Sequence, residues 1–339
     1  MLEAPASTLP TSRPIRSLKE LRAPVESELK TFDQLFRDSV RSPVGLLDTV
    51  TQYLLRQKGK QIRPLLVLLS AKACGGVTEA SYRGAALVEL LHTATLVHDD
   101  VVDESGQRRG RATANILWDN KSSVLVGDYL FSRAFQLMVE TGSLRVLAIL
   151  SNASAVIAEG EVLQLSTAHD LGTDLERYEQ VIYGKTAALF EAAAQVGGVI
   201  SGANEDQIQA LGAFGRGLGM AFQLSDDYLD YGGSSDALGK NTGDDFREGK
   251  VTLPVILAYA DAEDDARAFW DRTIGSGKQQ DGDLEKALGL MAGADALPRS
   301  MGRAREHADQ AMAALDLFPE GDMRDALRAI TEFVINRSS

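Results

Sequence analysis

The sequence predicts an all-α fold. From Val25 onward apolar residues recur every three or four positions, beginning with Leu29, Phe32, Leu35 and Phe36, which is the period of a helix with one buried face. The apolar–polar alternation that indicates strands is nearly absent, and prolines and glycines fall between the periodic segments. These three observations predict a bundle of roughly ten or more helices, several apolar on most sides and therefore central or in a subunit interface.

The sequence divides into an N-terminal arm and one domain. Between Ala4 and Pro24 the chain has four prolines with scattered Ser, Thr and Arg, which predicts a flexible N-terminal arm over 1–24. A transit peptide is an alternative that Glu3 and Glu20 weaken. No later linker divides the chain, and 339 residues with 44% hydrophobic content can bury a large core. The sequence therefore predicts one domain over 25–339.

The longer helices follow in order along this domain. An early periodic segment contains Leu46, Leu47, Val50, Tyr53 and Leu54. Ala-, Leu- and Val-rich helices are then predicted, bounded by Gly and Pro, at about 62–74, 81–104, 120–140, 143–168, 174–201, 205–232 and 250–260. The polar, acidic segment 261–285 is expected to form helix ends around a surface loop. Amphipathic helices at about 297–315 and 321–336 close the bundle.

Charge and composition exclude several classes of partner. Lys and Arg total 35 against 48 Asp and Glu, a net charge of −13, which argues against nucleic acid or an anionic membrane surface as a general partner. The single cysteine, Cys74, excludes an intramolecular disulfide. We find no apolar run of the roughly 18 residues that a membrane span needs, and no secretory signal. These features predict a cytoplasmic protein without an integral membrane segment.

An acidic cluster ends the apolar helix predicted at 81–104. It reads His98-Asp99-Asp100-Val101-Val102-Asp103, and Asp99 and Asp103, four residues apart, share one helix face. Without a cation these like charges repel each other. A second cluster, Asp226-Asp227-Tyr228-Leu229-Asp230, ends another apolar stretch in the same way. One such cluster alone is more often a solvated helix end, but two of them predict a cage between facing helices.

The ligand chemistry of this cage points to a hard cation. Its donors are carboxylate oxygens, no Cys lies nearby, and the whole chain has 4 His, which selects Mg²⁺ rather than zinc. Because Mg²⁺ in proteins usually bridges to substrate phosphates, the expected ligand carries a diphosphate.

Basic residues that could hold phosphates surround the clusters in the sequence. Gly59-Lys60-Gln61-Ile62-Arg63-Pro64 places Lys60 and Arg63 at a helix N-terminus, where backbone N–H groups also favour anions, although an ordinary exposed loop is equally compatible. His92 lies two turns before Asp99 on the same face, where a hydrogen-bonded core histidine is the alternative. Arginine forks suited to bidentate phosphate contacts follow in Arg108-Arg109-Gly110-Arg111. Further cations are Lys185, Lys240 and Lys250. Gly184-Lys185-Thr186 lacks the upstream glycine of a nucleotide-binding P-loop.

Together these residues resemble the trans-isoprenyl diphosphate synthases from about residue 30 onward. The resemblance rests on Gly59-Lys60-x-x-Arg63-Pro64, Asp99-Asp100-x-x-Asp103, Arg108-Arg109-Gly110, Gly184-Lys185-Thr186, Phe222-Gln223, Asp226-Asp227-x-x-Asp230, Gly239-Lys240 and Gly249-Lys250, all in family order. The stretch from His92 to Glu104 is most similar to that of the long-chain, octaprenyl-type members. The resemblance implies a single-domain helical bundle of the isoprenoid synthase type with a central cavity. It also implies a prenyltransferase that condenses isopentenyl diphosphate successively onto an allylic starter such as farnesyl or geranyl diphosphate.

The resemblance also implies roles for individual residues. Isopentenyl diphosphate would be held by Lys60, Arg63, His92 and Arg109. Mg²⁺, three ions per active site when substrate is bound, would be coordinated by Asp99, Asp103 and Asp226, with Asp227, Asp230 and Asp244 supporting metal-bound water. The allylic diphosphate would be gripped by Arg108, Lys185, Thr186, Gln223, Lys240 and Lys250. The catalytic set would be Asp99, Asp103, Arg108, Lys185, Asp226 and Lys240. A homodimer and a role in making the quinone side chain are further expectations.

Product length should depend on an apolar channel along the helix of the first cluster. Ala94 and Thr95 are small where short-chain members of the family often carry bulky aromatics, which predicts an open channel and a C40 product, with C50 next. Met138, Phe135 and Leu150 are candidates for its floor, each with simple core packing as the alternative.

The competing functions are a short-chain farnesyl or geranylgeranyl synthase and a noncatalytic subunit of a hetero-oligomeric synthase. A terpene cyclase would not need Lys60, Arg63 and His92, and a di-iron bundle would need Glu-x-x-His pairs that are absent.

Overall fold

The computed structural model of the protein describes residues 17–57, 59–232 and 242–336. Its α-helices are α1 Leu18–Arg22, α2 Glu26–Ser39, α3 Gly45–Arg56, α4 Ile62–Ala73, α5 Glu79–Val102, α6 Ala114–Leu117, α7 Asn120–Glu140, α8 Leu144–Thr167, α9 Leu175–Ile182, α10 Ala188–Ile200, α11 Glu205–Gly232, α12 Asp244–Arg247, α13 Leu253–Ala260, α14 Asp264–Trp270, α15 Asp283–Gly293, α16 Ala296–Ala314 and α17 Asp322–Asn336. Two-residue strands β1 Gln107–Arg108 and β2 Arg111–Ala112 form the sheet found in these residues.

The all-α prediction is confirmed, and most predicted helices lie within a few residues of the observed ones. The helix predicted at 174–201 consists of α9 and α10 joined by a π-helical turn, Tyr183–Ala187. The segment 261–285 is more ordered than a surface loop, because α14 and the π-helical turn Asp271–Gly275 bury Phe269, Trp270 and Ile274. Aromatic side chains, including the fully buried Trp270, form a local core in this segment. The acidic composition of the segment gave no indication of that core.

The described part of the predicted flexible arm is folded, so the prediction is wrong for residues 17–24. Ser17 and Glu20 form a capping box at the start of α1, and Leu21 is buried against the main core. Arg22 donates from Nη2 to the Lys60 carbonyl oxygen over 2.8 Å. The beginning of the domain therefore braces the loop that carries Lys60.

The main core lies where α4, α5, α10 and α11 pack together, with α2, α7 and α17 around them. In α4 every residue from Leu65 to Ala71 is buried, so this helix is apolar all round, as a central helix should be. A second core forms around Trp270 between α13, α14 and α15. The ends of α5 and α11, which carry the acidic clusters, emerge from the main core on the side of the candidate site.

Helices α7 and α8 leave an apolar surface uncovered, which we call the outer apolar face. At 100° per residue its members on each helix fall within an arc of about 100°. They are Val124, Leu125, Phe135, Val139, Leu144, Val162 and Leu165, each at least 41% exposed. Phe135 therefore lies on the surface of the chain and does not form the buried channel floor for which it was a candidate.

Among the described residues, α8 alone is long and apolar enough to cross a membrane by length and composition. The expectation that no apolar run reaches that length is therefore wrong. The same test is passed by core helices of water-soluble proteins. Here α8 packs along α10 and carries Glu161 and Gln164 toward the candidate site. These contacts make α8 one wall of the bundle.

Candidate active site

The first acidic cluster occupies the last turn of α5. The helix ends in a Schellman arrangement, in which the N–H groups of Glu104 and Ser105 donate to the carbonyl oxygens of Val101 and Asp100. Glu104 takes the left-handed conformation (φ 50°) that glycine usually supplies at this position. The helix ends at Val102, two residues before the predicted end at 104. Asp99 and Asp103 remain partly exposed at this helix end.

The three aspartates of this cluster have different environments. Asp100 is 4% exposed and accepts a 2.7 Å hydrogen bond from Arg108 Nε, so its charge is already balanced. Burial raises the pKa of Asp99 to about 7, the carboxylate of Glu161 adds to the rise, and the Lys185 ammonium opposes it. The pattern fits the expected metal ligands Asp99 and Asp103, because these two remain partly exposed whereas Asp100 is buried and paired with Arg108.

Arg108 and Arg109 lie on a β-hairpin that sequence periodicity could not reveal. β1 and β2 pair with Arg108 opposite Arg111, and the connecting residues Arg109 and Gly110 both have positive φ, 53° and 73°. These signs define a type I′ turn, the favoured two-residue hairpin connection. The turn sends the two guanidinium groups to different places, with Arg108 on Asp100 and Arg109 on the Gln57 carbonyl oxygen.

The hairpin is held against α3. The Tyr53 hydroxyl donates to the Ala112 carbonyl oxygen over 2.7 Å, and the Tyr53 ring packs edge-on against Trp118 with 5.3 Å between ring centroids. The Asn115 amide donates to the Asp100 carbonyl oxygen over 3.1 Å. Hairpin and α5 terminus are thus tied together, with Arg108 held by the Asp100 carboxylate and Arg109 by the Gln57 carbonyl oxygen.

One pocket brings together two of the four residues expected to hold isopentenyl diphosphate, His92 and Arg109. Gly59, Glu89, His92, Arg108 and Arg109 all line it. A side chain at position 59 would collide with the Arg109 guanidinium, which lies 2.4 Å from the place of a Cβ. The glycine therefore lets the hairpin arginine approach the loop before α4.

Arg63 lies beside this pocket, between the Phe190 ring and His92. Its guanidinium is 4.4 Å from the centroid of the Phe190 ring and its Nη1 is 3.2 Å from His92 Nε2. Since Arg can only donate, Nε2 accepts and the His92 proton is on Nδ1. Burial lowers the pKa of Arg63 to about 10, opposed by Glu89 and Asp226. His92 is neutral, because burial and the neighbouring Arg63 lower its pKa well below the usual range.

Lys60 lies beside this pocket rather than among its lining residues. Its ammonium is 5.5 Å from the centroid of the Phe333 ring of α17, a cation–π distance. The first and last helices of the described residues therefore both contact the Lys60 loop, α1 through Arg22 and α17 through Phe333.

The second acidic cluster, at the end of α11, also divides its carboxylates between roles. Asp227 is buried and accepts hydrogen bonds from Tyr178 Oη over 2.6 Å and Gln223 Nε2 over 2.7 Å. Burial raises its pKa to about 6, while these two donors oppose the rise. Asp230 accepts the backbone N–H groups of Asp244 and Asp245 at the start of α12. Asp226 is partly exposed, and its charge acts on Arg63.

Lys185 projects from the π-helical turn between α9 and α10. Such turns occur frequently at functional sites. Here Gly184 packs so closely on Gly160 of α8 that a Cβ on Gly160 would lie 2.8 Å from the Gly184 backbone. Lys185 Nζ is consequently 3.2 Å from Glu161 Oε2, and the next residue, Thr186, donates to Gln223 Oε1 over 2.7 Å.

Gln223 connects Lys185's helix to the second cluster. It accepts from Thr186 and donates to Asp227, so its amide orientation is fixed by two opposite requirements. Lys185, Gln223, Asp227 and Lys250 line a second pocket. Three of the residues expected to hold the allylic diphosphate, Lys185, Gln223 and Lys250, therefore share this pocket, and Thr186 contacts it through Gln223. Arg108 lines the first pocket instead, and Lys240 lies outside the described residues.

Lys250 completes this second pocket. Although burial alone would lower it, the pKa of Lys250 is raised by the carboxylates of Asp245 and Glu248, with a smaller contribution from Asp103 of the first cluster. Asp245, not the predicted Asp244, is the aspartate that faces the pocket. Asp244 instead pairs at the surface with Arg247 over 2.6 Å. The assignment of Asp244 to the site is thus corrected to its neighbour.

Sequence reasoning missed three carboxylates that border the site. Glu89 is three residues before His92, so helical spacing could have placed it on the same face. Asp245 follows the predicted Asp244 directly, but nothing in the sequence shows which of the two points inward. Glu161 lies on α8, far from every recognised motif, and only tertiary packing brings it to Lys185.

The residues proposed to set product length lie along α5 and α7. Ala94 is fully buried in the main core, and the Thr95 hydroxyl donates back to the His92 carbonyl oxygen over 2.9 Å. Met138 and Leu150 are buried in the same core. Their roles in chain length stay predictions.

The donor set of the acidic clusters fits a hard divalent cation. Its exposed members, Asp99, Asp103 and Asp226, offer carboxylate oxygens alone, as Mg²⁺ prefers. In the part of the chain that the structure describes, no three His, Cys, Asp or Glu side chains are already close enough to enclose an ion. The carboxylates are thus chemically suited to the cation but do not form a closed cage.

An α-helical bundle in which two aspartate-rich helix ends face a group of lysine and arginine side chains is the architecture of a prenyl-transferring enzyme. The chain belongs to the polyprenyl synthetase family, whose model matches residues 44–291. It is 42% identical to octaprenyl diphosphate synthase of Escherichia coli over 323 residues, 95% of this chain and 99% of the relative.

Solved structures give the same result. The chain resembles a decaprenyl diphosphate synthase from Rhodobacter capsulatus with a TM-score of 0.91 and 51% identity, covering 95% of this chain and 100% of that one. It also resembles a polyprenyl synthase from Caulobacter crescentus, complexed with calcium and isoprenyl diphosphate, with a TM-score of 0.92 and 44% identity over 97% and 100% of the two chains. The family, the fold and the class of enzyme are therefore established.

Proposed function

We propose that this enzyme is a Mg²⁺-dependent long-chain synthase. It adds isopentenyl diphosphate successively to an allylic diphosphate and gives an all-trans product, C40 first and C50 next, for a quinone side chain. One observation carries the proposal. The cations that suit a diphosphate fall into two groups, one around Arg63, His92 and Arg109 and one around Lys185 and Lys250, as two diphosphate substrates require.

The metal would be held by Asp99, Asp103 and Asp226, with three Mg²⁺ ions when substrate is bound. The Caulobacter relative, solved with calcium and isoprenyl diphosphate, supports a divalent cation beside a diphosphate. When bound, Mg²⁺ neutralises charge on the allylic diphosphate. Asp227 and Asp230 serve differently, since their oxygens accept protein hydrogen bonds that fix α11 and α12.

Basic side chains of the second pocket, together with Arg108 of the first pocket, would promote cleavage of the allylic C–O bond. The departing pyrophosphate takes the electron pair, and Lys185, Lys250 and Arg108, together with Lys240, stabilise the negative charge that develops. Thr186 and Gln223 hold the helix that carries Lys185 against α11. The allylic cation then needs a nucleophile close by and water kept away.

The first pocket would supply that nucleophile. Lys60, Arg63, His92 and Arg109 bind the diphosphate of isopentenyl diphosphate, and the π electrons of its alkene form the new C–C bond. Departing pyrophosphate takes the proton that is lost in restoring the double bond. Because His92 Nε2 accepts from Arg63, neutral His92 contributes by orienting the guanidinium and not by adding charge.

The outer apolar face supports a homodimer. Exposed apolar stripes on two adjacent helices of one chain favour burial against another protein surface, and a second copy supplies the same stripes. We propose that the cytoplasmic enzyme is this dimer.

The competing functions are separable by one assay. The purified protein is incubated with Mg²⁺, farnesyl diphosphate and labelled isopentenyl diphosphate, and the dephosphorylated products are sized. A C40 or C50 product would support the proposal. A stop at C15 to C20 would favour the short-chain alternative. The small side chains of Ala94 and Thr95 argue against that outcome, because short-chain members often carry bulky aromatics there. Failure to incorporate label would favour the noncatalytic subunit.

A further inference from the structure

His98 directly precedes Asp99 but serves a different surface. Its Nε2 lies 3.1 Å from the carbonyl oxygen of Val124 on α7 and 3.6 Å from Asp128 Oδ1 on the same helix. A carbonyl oxygen can only accept, so Nε2 carries a proton and donates to Val124. Because successive helical residues point about 100° apart, the histidine contacts α7 while Asp99 is placed toward the diphosphate pockets.

Gly127 of α7 provides the space for this ring. A Cβ added to Gly127 would lie 2.1 Å from His98 Nε2 and 2.4 Å from Cδ2, far inside van der Waals contact. Any L-residue with a side chain would therefore displace the ring, and the ring would lose its hydrogen bond to Val124. The contact requires the histidine on one helix and the glycine on the other.

The contact between His98 and α7 lies at the last turn of α5, where the negative charges of the acidic cluster repel each other. The final turn of the helix bears Asp99 and Asp103, whose carboxylates repel each other and have Glu161 as a further neighbouring charge. On the opposite side, Arg108 and Asn115 hold Asp100 through its side chain and its carbonyl oxygen. His98 is the link on the α7 side, so the turn is fixed from two directions.

We infer that His98 is a positioning residue. With Gly127, it holds the last turn of α5 at the rotation and height that Asp99 and Asp103 need to bind the divalent cation. This inference rests on the proposed function, in which these aspartates are metal ligands. It predicts that the His98 contact governs metal affinity and leaves the isopentenyl diphosphate pocket unaffected.

The contact also connects the metal ligands to the outer apolar face. Val124, whose carbonyl oxygen receives the His98 proton, and Leu125 belong to that face. A protein surface packed on α7 would therefore stiffen the same turn of α7 that fixes α5.

The test uses His98→Ala, Gly127→Ala and the double variant, with His307→Ala as the matched control. His307 likewise joins two helices, contacting Glu179 of α9 from α16 over 3.4 Å, but it is remote from α5. Two quantities are measured: the Mg²⁺ concentration that gives half of the rise in Tm in the presence of inorganic pyrophosphate, and the Mg²⁺ concentration for half-maximal turnover.

Each single variant should need roughly tenfold more Mg²⁺ by both measures, the size of effect seen when groups that orient metal ligands are removed. The double variant should be no worse than either single one, because both changes remove the same contact. His98→Gln, whose amide nitrogen can donate to Val124, should recover most of the affinity. KM for isopentenyl diphosphate should stay at the wild-type value in all of them, and His307→Ala should behave as wild type.

Several results would overturn the inference. One is an unchanged Mg²⁺ midpoint in folded His98→Ala and Gly127→Ala, even with a lower Tm, because the contact would then serve packing alone. Another is an additive loss in the double variant. If wild-type protein shows the Mg²⁺ and pyrophosphate stabilisation without turnover, the proposed function fails while the Tm measurement still decides the role of His98. Should His98→Ala not fold, His98→Gln and Gly127→Ala decide it in the same way.

Discussion

Asp99 is a residue whose negative charge is poorly stabilised before a cation binds. Its pKa is about 7, against the ordinary value of 3.8, because it is buried and faces Glu161 and Asp103. A carboxyl whose pKa is higher in the folded than in the unfolded protein binds more protons when folded. Its ionisation therefore lowers the free energy of unfolding as the pH rises from about 4 to about 7, and this loss persists above that range.

Asp99→Asn should remove this loss while abolishing turnover. At pH 8 and without metal, we expect the free energy of unfolding of Asp99→Asn to exceed that of the wild type by about 1–2 kcal/mol, with no gain at pH 4. Urea unfolding at the two pH values measures it. Asp103→Asn is a useful comparison because Asp103 shares the site. A variant that is active, or equally destabilised at both pH values, would contradict this account of Asp99.

Ala94 offers a test of the channel at the same scale. Phenylalanine at this fully buried position on α5 would fill space five residues before Asp99, one and a half turns from the metal ligand. We expect Ala94→Phe to shorten the main product while isopentenyl diphosphate is still incorporated, as chromatography of the dephosphorylated products would show. Ala94→Ser, with little added volume, should keep the wild-type length. An unchanged product in Ala94→Phe would place the channel wall elsewhere.

Residue spacing could predict much of this site but not its finer division of roles. Helical periodicity placed Asp99 with Asp103 and His92 on one face, because both relations lie within a single helix. It could not show that Asp100 is neutralised by Arg108, that Asp245 rather than Asp244 faces the pocket, or that Glu161 approaches Lys185. Those relations depend on how different elements pack, which no local pattern encodes.

Among the elements, the hairpin of β1 and β2 has the greatest effect for its size. Six residues, from Gln107 to Ala112, place Arg108 and Arg109 and connect α3 to the end of α5. Two-residue strands are too short to show alternation. The sequence therefore showed the cluster of arginines but did not reveal the hairpin on which they lie. The sequence predicted the long helices well because each one repeats its apolar period over several turns.

Gly110 makes the hairpin testable. Its φ of 73° is unfavourable for a β-branched side chain, so Gly110→Val should cost about 1–2 kcal/mol of stability. The turn would also shift both arginines, and KM should rise severalfold for isopentenyl diphosphate and for the allylic substrate. Steady-state kinetics with each substrate varied in turn measures this rise.

Gly142 is the matched control for that substitution. It has a φ of 67° in the turn between α7 and α8, and like Gly110 it has open space around the position of a Cβ. Gly142→Val should lower Tm similarly and leave both KM values unchanged. If Gly142→Val raises KM as much as Gly110→Val, the effect comes from general destabilisation and not from the hairpin.

At the scale of the whole molecule, the outer apolar face predicts the assembly. Leu125 is 63% exposed on α7, and an aspartate there would place a charge in the proposed subunit contact. Leu125→Asp should therefore convert a dimer to monomers in light scattering at micromolar concentration. Leu317→Asp, at a 54% exposed leucine in the 3₁₀ turn before α17, should leave the dimer intact. A wild-type protein that is monomeric throughout would contradict the assignment.

The neighbouring arginines of the hairpin have a consequence for repeated elongation. In each condensation as proposed, the product keeps the diphosphate of isopentenyl diphosphate, so it is formed with that group in the Arg109 pocket. To react again, the product must present the same group in the pocket of Lys185 and Lys250. Arg108 and Arg109 both line the first of these pockets, and the charge of Arg108, like that of Lys185, acts on Asp99. The diphosphate can therefore pass from Arg109 by way of Arg108 toward Lys185 without leaving the protein. Such a handover would make the enzyme processive, with short intermediates retained while the chain grows.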